Sequence, residues 1–319
     1  MSSSKRQVQF RLKSNVIELT GSQSAAKPKQ KTAKIIESAM NAVFTFCGFT
    51  AVAFVLLISI FLIVSGTPAM AEIGLKDFLF GTKWDSAASE PSYGILPFIL
   101  SSVYGTFGAV LIGVPPGILC AVFIAKIAGK KTSSFVNSAV SLMAGIPSVV
   151  YGLVGMIIIV PAVREIFGLP DGANLFSAII VLAVMILPSV ISVSETAIRA
   201  VPKEYEEASL ALGATKTETI FKVTLPAAKS GILASVVLGI GRAVGEAMAV
   251  MMVAGNVANM PSLFESVRFL TTAVASEMAY SSPGSLQRNA LFSIALVLFL
   301  FIMLINATLN FFLKRDKEK

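Results

Sequence analysis

The sequence predicts an all-α, polytopic membrane protein with six transmembrane helices. Three observations carry that prediction. The composition is 55% hydrophobic and only 14% charged, with a mean hydropathy of +0.79, whereas soluble domains carry about a quarter charged residues. Apolar runs near the roughly 20 residues needed to cross hydrocarbon recur six times. Between these runs Lys and Arg alternate in density from one connecting segment to the next, as cytoplasmic and outer loops do.

The runs cover residues 43–64, 95–125, 135–160, 175–193, 232–254 and 290–313. The second exceeds one straight crossing and contains Pro115-Pro116-Gly117, so it reads as one span broken or kinked there. Pro147 and Pro188 are candidate kinks in the third and fourth, although prolines also occur in spans without transport duties. The segments before span one, between spans two and three, between four and five, and after six hold 20 of the 26 Lys and Arg. The three opposite loops hold five, and Arg242 lies inside span five. This asymmetry places both termini and the long fourth loop in the cytoplasm, in a multi-pass protein of the bacterial cytoplasmic membrane. The net charge of +8 then reflects topology and affinity for anionic lipid. Nucleic acid is not an expected partner, because the basic residues are scattered over four segments.

The expected organisation is a basic tail at 1–42, a peripheral span at 43–64, a five-helix core at 95–313 that includes a cytoplasmic loop at 194–231, and a short tail at 314–319. The start, MSSSKRQVQFRLKSN, lacks the apolar stretch of a cleavable signal, and the β-prone pieces VQFRL and NVIEL leave a folded role open. Cys47 and Cys120 fall inside spans without ligand spacing and read as packing residues. The chain has no histidine, which removes imidazole catalysis and His metal sites. No catalytic residue, metal or cofactor is expected in it.

The loop EEASLALGATKTETIFKVTLP, residues 206–226, is dense in charge and well punctuated. Pro202 suits a first helical turn, followed by Glu204, Glu206 and Glu207 at the positive helix end. Gly213 suits a left-handed stop, Thr215-Lys-Thr-Glu218 matches a capping box, and Pro226 ends or redirects the second helix before the next span. Two short helices joined by a sharp bend result, with Leu210, Ile220 and Phe221 as apolar residues they present. Interfacial helices that merely rest on lipid share this local pattern.

Glu207-Ala208-Ser209, three residues, Gly213, nine residues, then Val223-Thr-Leu225-Pro226 resembles the EAA signature of ABC-importer permeases, with Ser209 for an alanine and Val223 for an isoleucine. The resemblance implies the type I ABC importer permease (MetI-like) fold. It also implies that Glu207, Ala208, Ser209, Gly213, Val223, Leu225 and Pro226 belong to a coupling loop docking on a separate ATPase. The chain has no GxxxxGK[ST] phosphate loop, so it is expected not to be an enzyme. ATP and Mg would be bound by the partner.

In span five, Arg242 and Glu246 are four residues apart and are expected on one helical face. Charges at that depth are costly and point to a bundle interior or a watery path. A guanidinium path for an oxyanion and a buried ion pair locking subunits together both fit the residue types. Gly241 and Gly245 form a GxxxG step, with Gly239 beside it, that admits a neighbouring helix. GRAVGEAMAV, together with AGIPSVVYGLVG, is similar to the PstC/PstA family of phosphate-import permeases. That similarity implies a substrate-pathway role for Arg242 and Glu246, a sister permease subunit, an ATPase dimer and an external phosphate-binding protein. Sulfate and molybdate permeases share the fold, and an ion-coupled secondary transporter is the rival from another class. On the outer side, Trp84 and Tyr93 fit interfacial anchoring, and residues 261–279 read as a short amphipathic helix.

Overall fold

The computed structural model describes residues 28–86 and 88–317. It is almost wholly helical, with one two-stranded hairpin. The chain divides into two compact units, Met1–Phe61 and Leu62–Lys319. Helix α1 (Pro28–Ile73) begins in the first, where Phe44, Phe46, Phe49 and Phe54 are all exposed. An all-round apolar surface of this kind suits a single helix in lipid. Residues 1–27, including VQFRL and NVIEL, lie outside the described residues.

Within the second unit the chain runs through α2 (Leu75–Phe80), the hairpin β1 (Trp84–Asp85) and β2 (Ser92–Tyr93), and α3 (Leu96–Val122). Then come α4 (Lys130–Gly145), α5 (Ser148–Val154), α6 (Val160–Phe167) and α7 (Leu175–Arg199). The remainder is α8 (Lys203–Ala211), α9 (Lys216–Thr219), α10 (Leu225–Ala227), α11 (Lys229–Gly245), α12 (Met248–Val253), α13 (Leu270–Glu277) and α14 (Leu286–Lys317). Among the described residues five helical stretches are long and apolar enough to cross a membrane, six if the bent pair Lys216–Ala227 and Lys229–Gly245 counts as one. The six-span expectation therefore holds, with changes at the breaks.

Pro115 and Pro116 do not break α3, which continues through them. A wide π-helical turn, Phe123–Ile127, then extends the span to Ile127. Pro147 breaks the third run outright. A residue before proline is driven from the helical region, and Ile146 sits at φ −71°, ψ 127°. The membrane-competent stretch is Ser148–Phe167, with α4 separate from it. Pro188 is accommodated inside a continuous α7.

Helix α7 is the centre of the unit. Asn174 caps it by accepting the Ser177 N–H at 3.0 Å, and α3, α11 and α12 pack around it. Ile179, Val181, Leu182, Met185 and Ile186 form the middle of the largest apolar core. The contact with α3 needs a missing side chain: a Cβ on Gly113 would sit 2.8 Å from the Ala183 carbonyl oxygen. Helix α3 thus approaches α7 at backbone distance.

At the N-terminal end of α3, Trp84 is not the exposed interfacial anchor its sequence setting indicates. It is 8% exposed, packs on Tyr93 and Phe98 at centroid distances of 5.3 and 5.5 Å, and donates its indole N–H to Glu277 at 3.0 Å. Tyr93 is buried too, and burial, then the charges of Glu277 and Glu72, push its phenol pKa up. Glu277 also accepts from Arg268, Ser86 and Gln287. The helix expected over 261–279 is confined to Leu270–Glu277, because Arg268 ties the preceding segment to the Asn256 carbonyl at 2.8 Å.

Gly113→Leu is expected to wedge α3 from α7 and cost about 1–3 kcal/mol, the usual range for overpacking. A lowered thermal unfolding midpoint in detergent checks this.

Candidate functional site

The long loop folds into the expected elbow. Helix α8 starts after Pro202, which is extended at ψ 137°, and places Glu204 and Glu206 in its first turn. It stops where Gly213 adopts φ +89°, a left-handed conformation that costs L-residues about 1–2 kcal/mol. The Gly213 N–H reaches the Leu210 carbonyl at 3.0 Å and the Ala214 N–H reaches that of Ser209 at 3.2 Å. The capping box forms as spaced: Thr215 Oγ1 accepts from the Glu218 N–H, and the Glu218 carboxylate accepts from the Thr215 N–H at 3.0 Å. Another π-helical turn, Ile220–Thr224, follows α9. The chain turns by 69° between Lys216–Ala227 and Lys229–Gly245, just beyond Pro226.

The two arms are joined by the Ser209 and Thr219 hydroxyls, 2.9 Å apart. Glu207, Ala208, Gly213 and Pro226 are exposed. Leu225 and Ile220 instead pack against the core formed by Ala121, Val122, Ile198 and Val201 at the ends of α3 and α7. Ile220 is thus a root of the elbow rather than an apolar residue it presents. Phe221, Tyr205 and Leu212 are exposed, Leu212 to 90%, while the part-exposed Leu210 lines a recess beside Ile220 and Thr219.

Span five is also broken. Helix α11 ends at Gly245, Glu246 is extended at φ −75°, ψ 127°, and Ala247 leads into α12. Arg242 and Glu246 are therefore not neighbours on one uninterrupted helix. The Glu246 carboxylate accepts the Ala249 N–H at 2.9 Å, and its carbonyl accepts from the Thr271 hydroxyl at 2.7 Å. Both groups serve the break, and among the described residues no ion pair joins Glu246 to Arg242. Arg242 is half-buried and, among the described residues, makes one long hydrogen bond, NH1 to Ser189 Oγ at 3.3 Å. A guanidinium has five donors, so most of its capacity is open.

The three glycines of this span divide. Gly239 packs on α7, with Val190 Cγ2 3.2 Å from a built Cβ. Gly241 and Gly245 meet nothing within 4 Å, and Leu238 and Met248 beside them are exposed. This face of α11 is bare among the described residues. Sequence reasoning missed Ser189 and Thr271, whose partners lie 53 and 25 residues away. The hydroxyl following Pro188 inside an apolar run was the available signal for Ser189. No group of three His, Cys, Asp or Glu able to hold a metal occurs among the described residues.

Residues 113–315 match the family model described as "Binding-protein-dependent transport system inner membrane component". The chain belongs to that family. Among relatives of this permease, "Probable ABC transporter permease protein YqgH" of Bacillus subtilis (strain 168) is 40% identical over 82% of this chain and 87% of its own. "Phosphate transport system permease protein PstC" of Pasteurella multocida (strain Pm70) is 32% identical over 76% of this chain and 81% of its own. Solved structures share the MetI-like fold. An inward-facing structure of the MetNI methionine ABC transporter matches with a TM-score of 0.53 at 23% identity, covering 70% of this chain and 94% of that one. A bacterial ABC transporter that imports the polysaccharide alginate matches at 0.55 and 15%, covering 88% and 99%. The permease is thus a transport subunit of the multi-pass inner-membrane class, and the elbow and the broken span five both lie inside the matched region.

The elbow's cap has a pH signature. Hydrogen bonds from the Thr215 N–H, then from its hydroxyl, then Lys222, hold the Glu218 carboxyl below the usual carboxylate range. A lowered folded pKa stabilises above the unfolded value, about 4.3, and that contribution is lost as pH falls through the folded one. Amide-exchange protection at Thr215 is expected to fall on acidification through that window. Glu218→Gln should flatten the dependence while its amide oxygen keeps the cap.

Proposed function

We propose that this chain is a membrane-spanning permease subunit of an ATP-driven inorganic phosphate importer. The observation that carries the reading is Arg242, a guanidinium with a single long hydrogen bond among the described residues, placed one turn before a helix break and beside a face of α11 that they leave bare. Planar donors with open valence suit a tetrahedral oxyanion. Holding Arg242 by one serine rather than a carboxylate keeps its charge for the substrate. The PstC-named relatives favour phosphate over sulfate or molybdate.

In this reading the bare glycine face of α11 receives the sister permease subunit, and the path runs between the two. Glu207, Ala208, Ser209, Gly213, Val223, Leu225 and Pro226 form the docking elbow for one copy of an ATPase dimer, which binds ATP and Mg. Small residues allow close approach, and the exposed Leu212 and Tyr205 supply apolar anchors. The elbow and both termini face the cytoplasm by the Lys and Arg asymmetry, and a phosphate-binding protein delivers substrate from outside. Glu246 acts in the pathway by holding the break open beside Arg242.

Arg242→Gln is expected to reduce ATP-dependent phosphate uptake in vesicles to background while the complex still assembles. Loss of assembly would make Arg242 a structural residue, and preferential uptake of sulfate or molybdate by the wild type would move the substrate. Gly213→Pro should release the ATPase on purification without abolishing membrane insertion. Full-speed uptake driven by an ion gradient alone would favour a secondary transporter.

A further inference from the structure

Helix α8 buries none of its residues, so apolar packing does not hold this arm of the elbow against the spans. The polar links are few. Ser209 binds Thr219 on the other arm. Among the described residues Glu206 alone reaches further: its Oε1 accepts from the Lys126 ammonium and from the buried Thr224 hydroxyl at 3.3 Å. Lys126 belongs to the π-helical turn that ends the α3 span, and Thr224 to the turn that leads into α10. One carboxylate oxygen therefore ties α8 to the end of α3 and to the second arm together. The Lys126 and Glu206 side chains are only 15% and 25% exposed, where solvent screens a pair less than at the surface.

We propose that Glu206 and Lys126 form a latch that makes the elbow move as one body with the ends of the spans. Glu206 is then a positioning residue for coupling, separate from Glu207 of the docking signature. The proposal deepens the reading of the elbow as a motor-docking handle. A handle conveys force only if its attachment is stiffer than its bearing surface, and α8 has no other tie to α3 among the described residues. Lys216 lines the same recess of about 180 Å³, with Leu210, Thr219 and Ile220. It stands ready as a substitute cation for Glu206, so removing the carboxylate is a cleaner cut than removing Lys126.

The test uses the whole transporter reconstituted with its ATPase, comparing wild type, Glu206→Gln and the exchanged pair Lys126→Glu with Glu206→Lys. Glu206→Gln is expected to keep the ATPase bound and hydrolysing but to lower phosphate moved per ATP by about fivefold or more, the lower end of measured site-to-site couplings. Backbone amides of Lys203–Ala211 should exchange about tenfold faster, with those of α7 unchanged. The exchanged pair should recover at least about half of the wild-type ratio, since charge sign and not identity is what a latch requires. Wild-type-like coupling in Glu206→Gln, a coupling loss without faster exchange in α8, or an exchanged pair no better than the single variant would each overturn the latch. Failure of the motor reading shows separately, as a wild-type permease that purifies without any ATPase, and the exchange comparison still decides the latch in that case.

Discussion

Hydrocarbon offers no hydrogen bonds, so a helix that breaks within apolar surroundings must find partners for each backbone group it frees. This constraint governs both interruptions in the permease. At Ile146–Pro147 the Met143 carbonyl, left without its helical donor, receives the Ile146 N–H at 3.2 Å and the Tyr151 hydroxyl at 2.7 Å. At Glu246–Ala247 the carboxylate of Glu246 takes the Ala249 N–H and Thr271 takes the Glu246 carbonyl. Each break thus recruits a side chain within a few residues, and the second also recruits one from α13. The broken geometry at Arg242 is therefore a specified feature, because unmaking any partner leaves an unpaired polar group that costs about 1–3 kcal/mol.

The same economy explains why glycines are distributed unequally. Gly113 on α3 and Gly239 on α11 lie where those helices press on α7, with Ala183 and Val190 as the atoms they accommodate. Gly241 and Gly245 accommodate nothing among the described residues. Two smooth steps on a membrane-spanning helix gain nothing from lipid, whose tails fill grooves as well as side chains do. They gain from a second helix, which can approach to backbone distance. A path walled on one side by α7 and α11 and closed by another subunit would leave Arg242 at the seam, where a guanidinium is accessible yet shielded from lipid.

What the sequence disclosed depended on the range of the interactions involved. Gly213, Thr215 and Glu218 act on neighbours within four residues, so the bend and its cap were legible from spacing. The apolar spans were legible because hydropathy is a sum over about 20 residues; for the same reason the break at Glu246 was not, and Pro147 was legible only as a kink inside one span. A window that averages over a break reports one continuous run. Trp84 was misread because its partner, Glu277, lies 193 residues away. Ile220 was misread because an amphipathic pattern gives an apolar face without saying which surface covers it. Arg242 stood out as a charge in an apolar run, but its single link to Ser189 crosses from one helix to another and leaves no local mark.

The adjacent glutamates 206 and 207 show how a short helix can serve two surfaces. Successive residues are turned by about 100° around a helix, so neighbours of identical chemistry point to different surroundings. Glu206 faces the chain, with Ser209 one turn on, and both make bonds to the second arm or to the end of α3. Glu207 and Ala208 face outward and are exposed. The inward pair satisfies itself within the permease, which leaves the outward face free of internal obligations. In the proposed docking role, Glu207 and Ala208 are free to change partner contacts without disturbing the bonds of Glu206 and Ser209 that hold the elbow together.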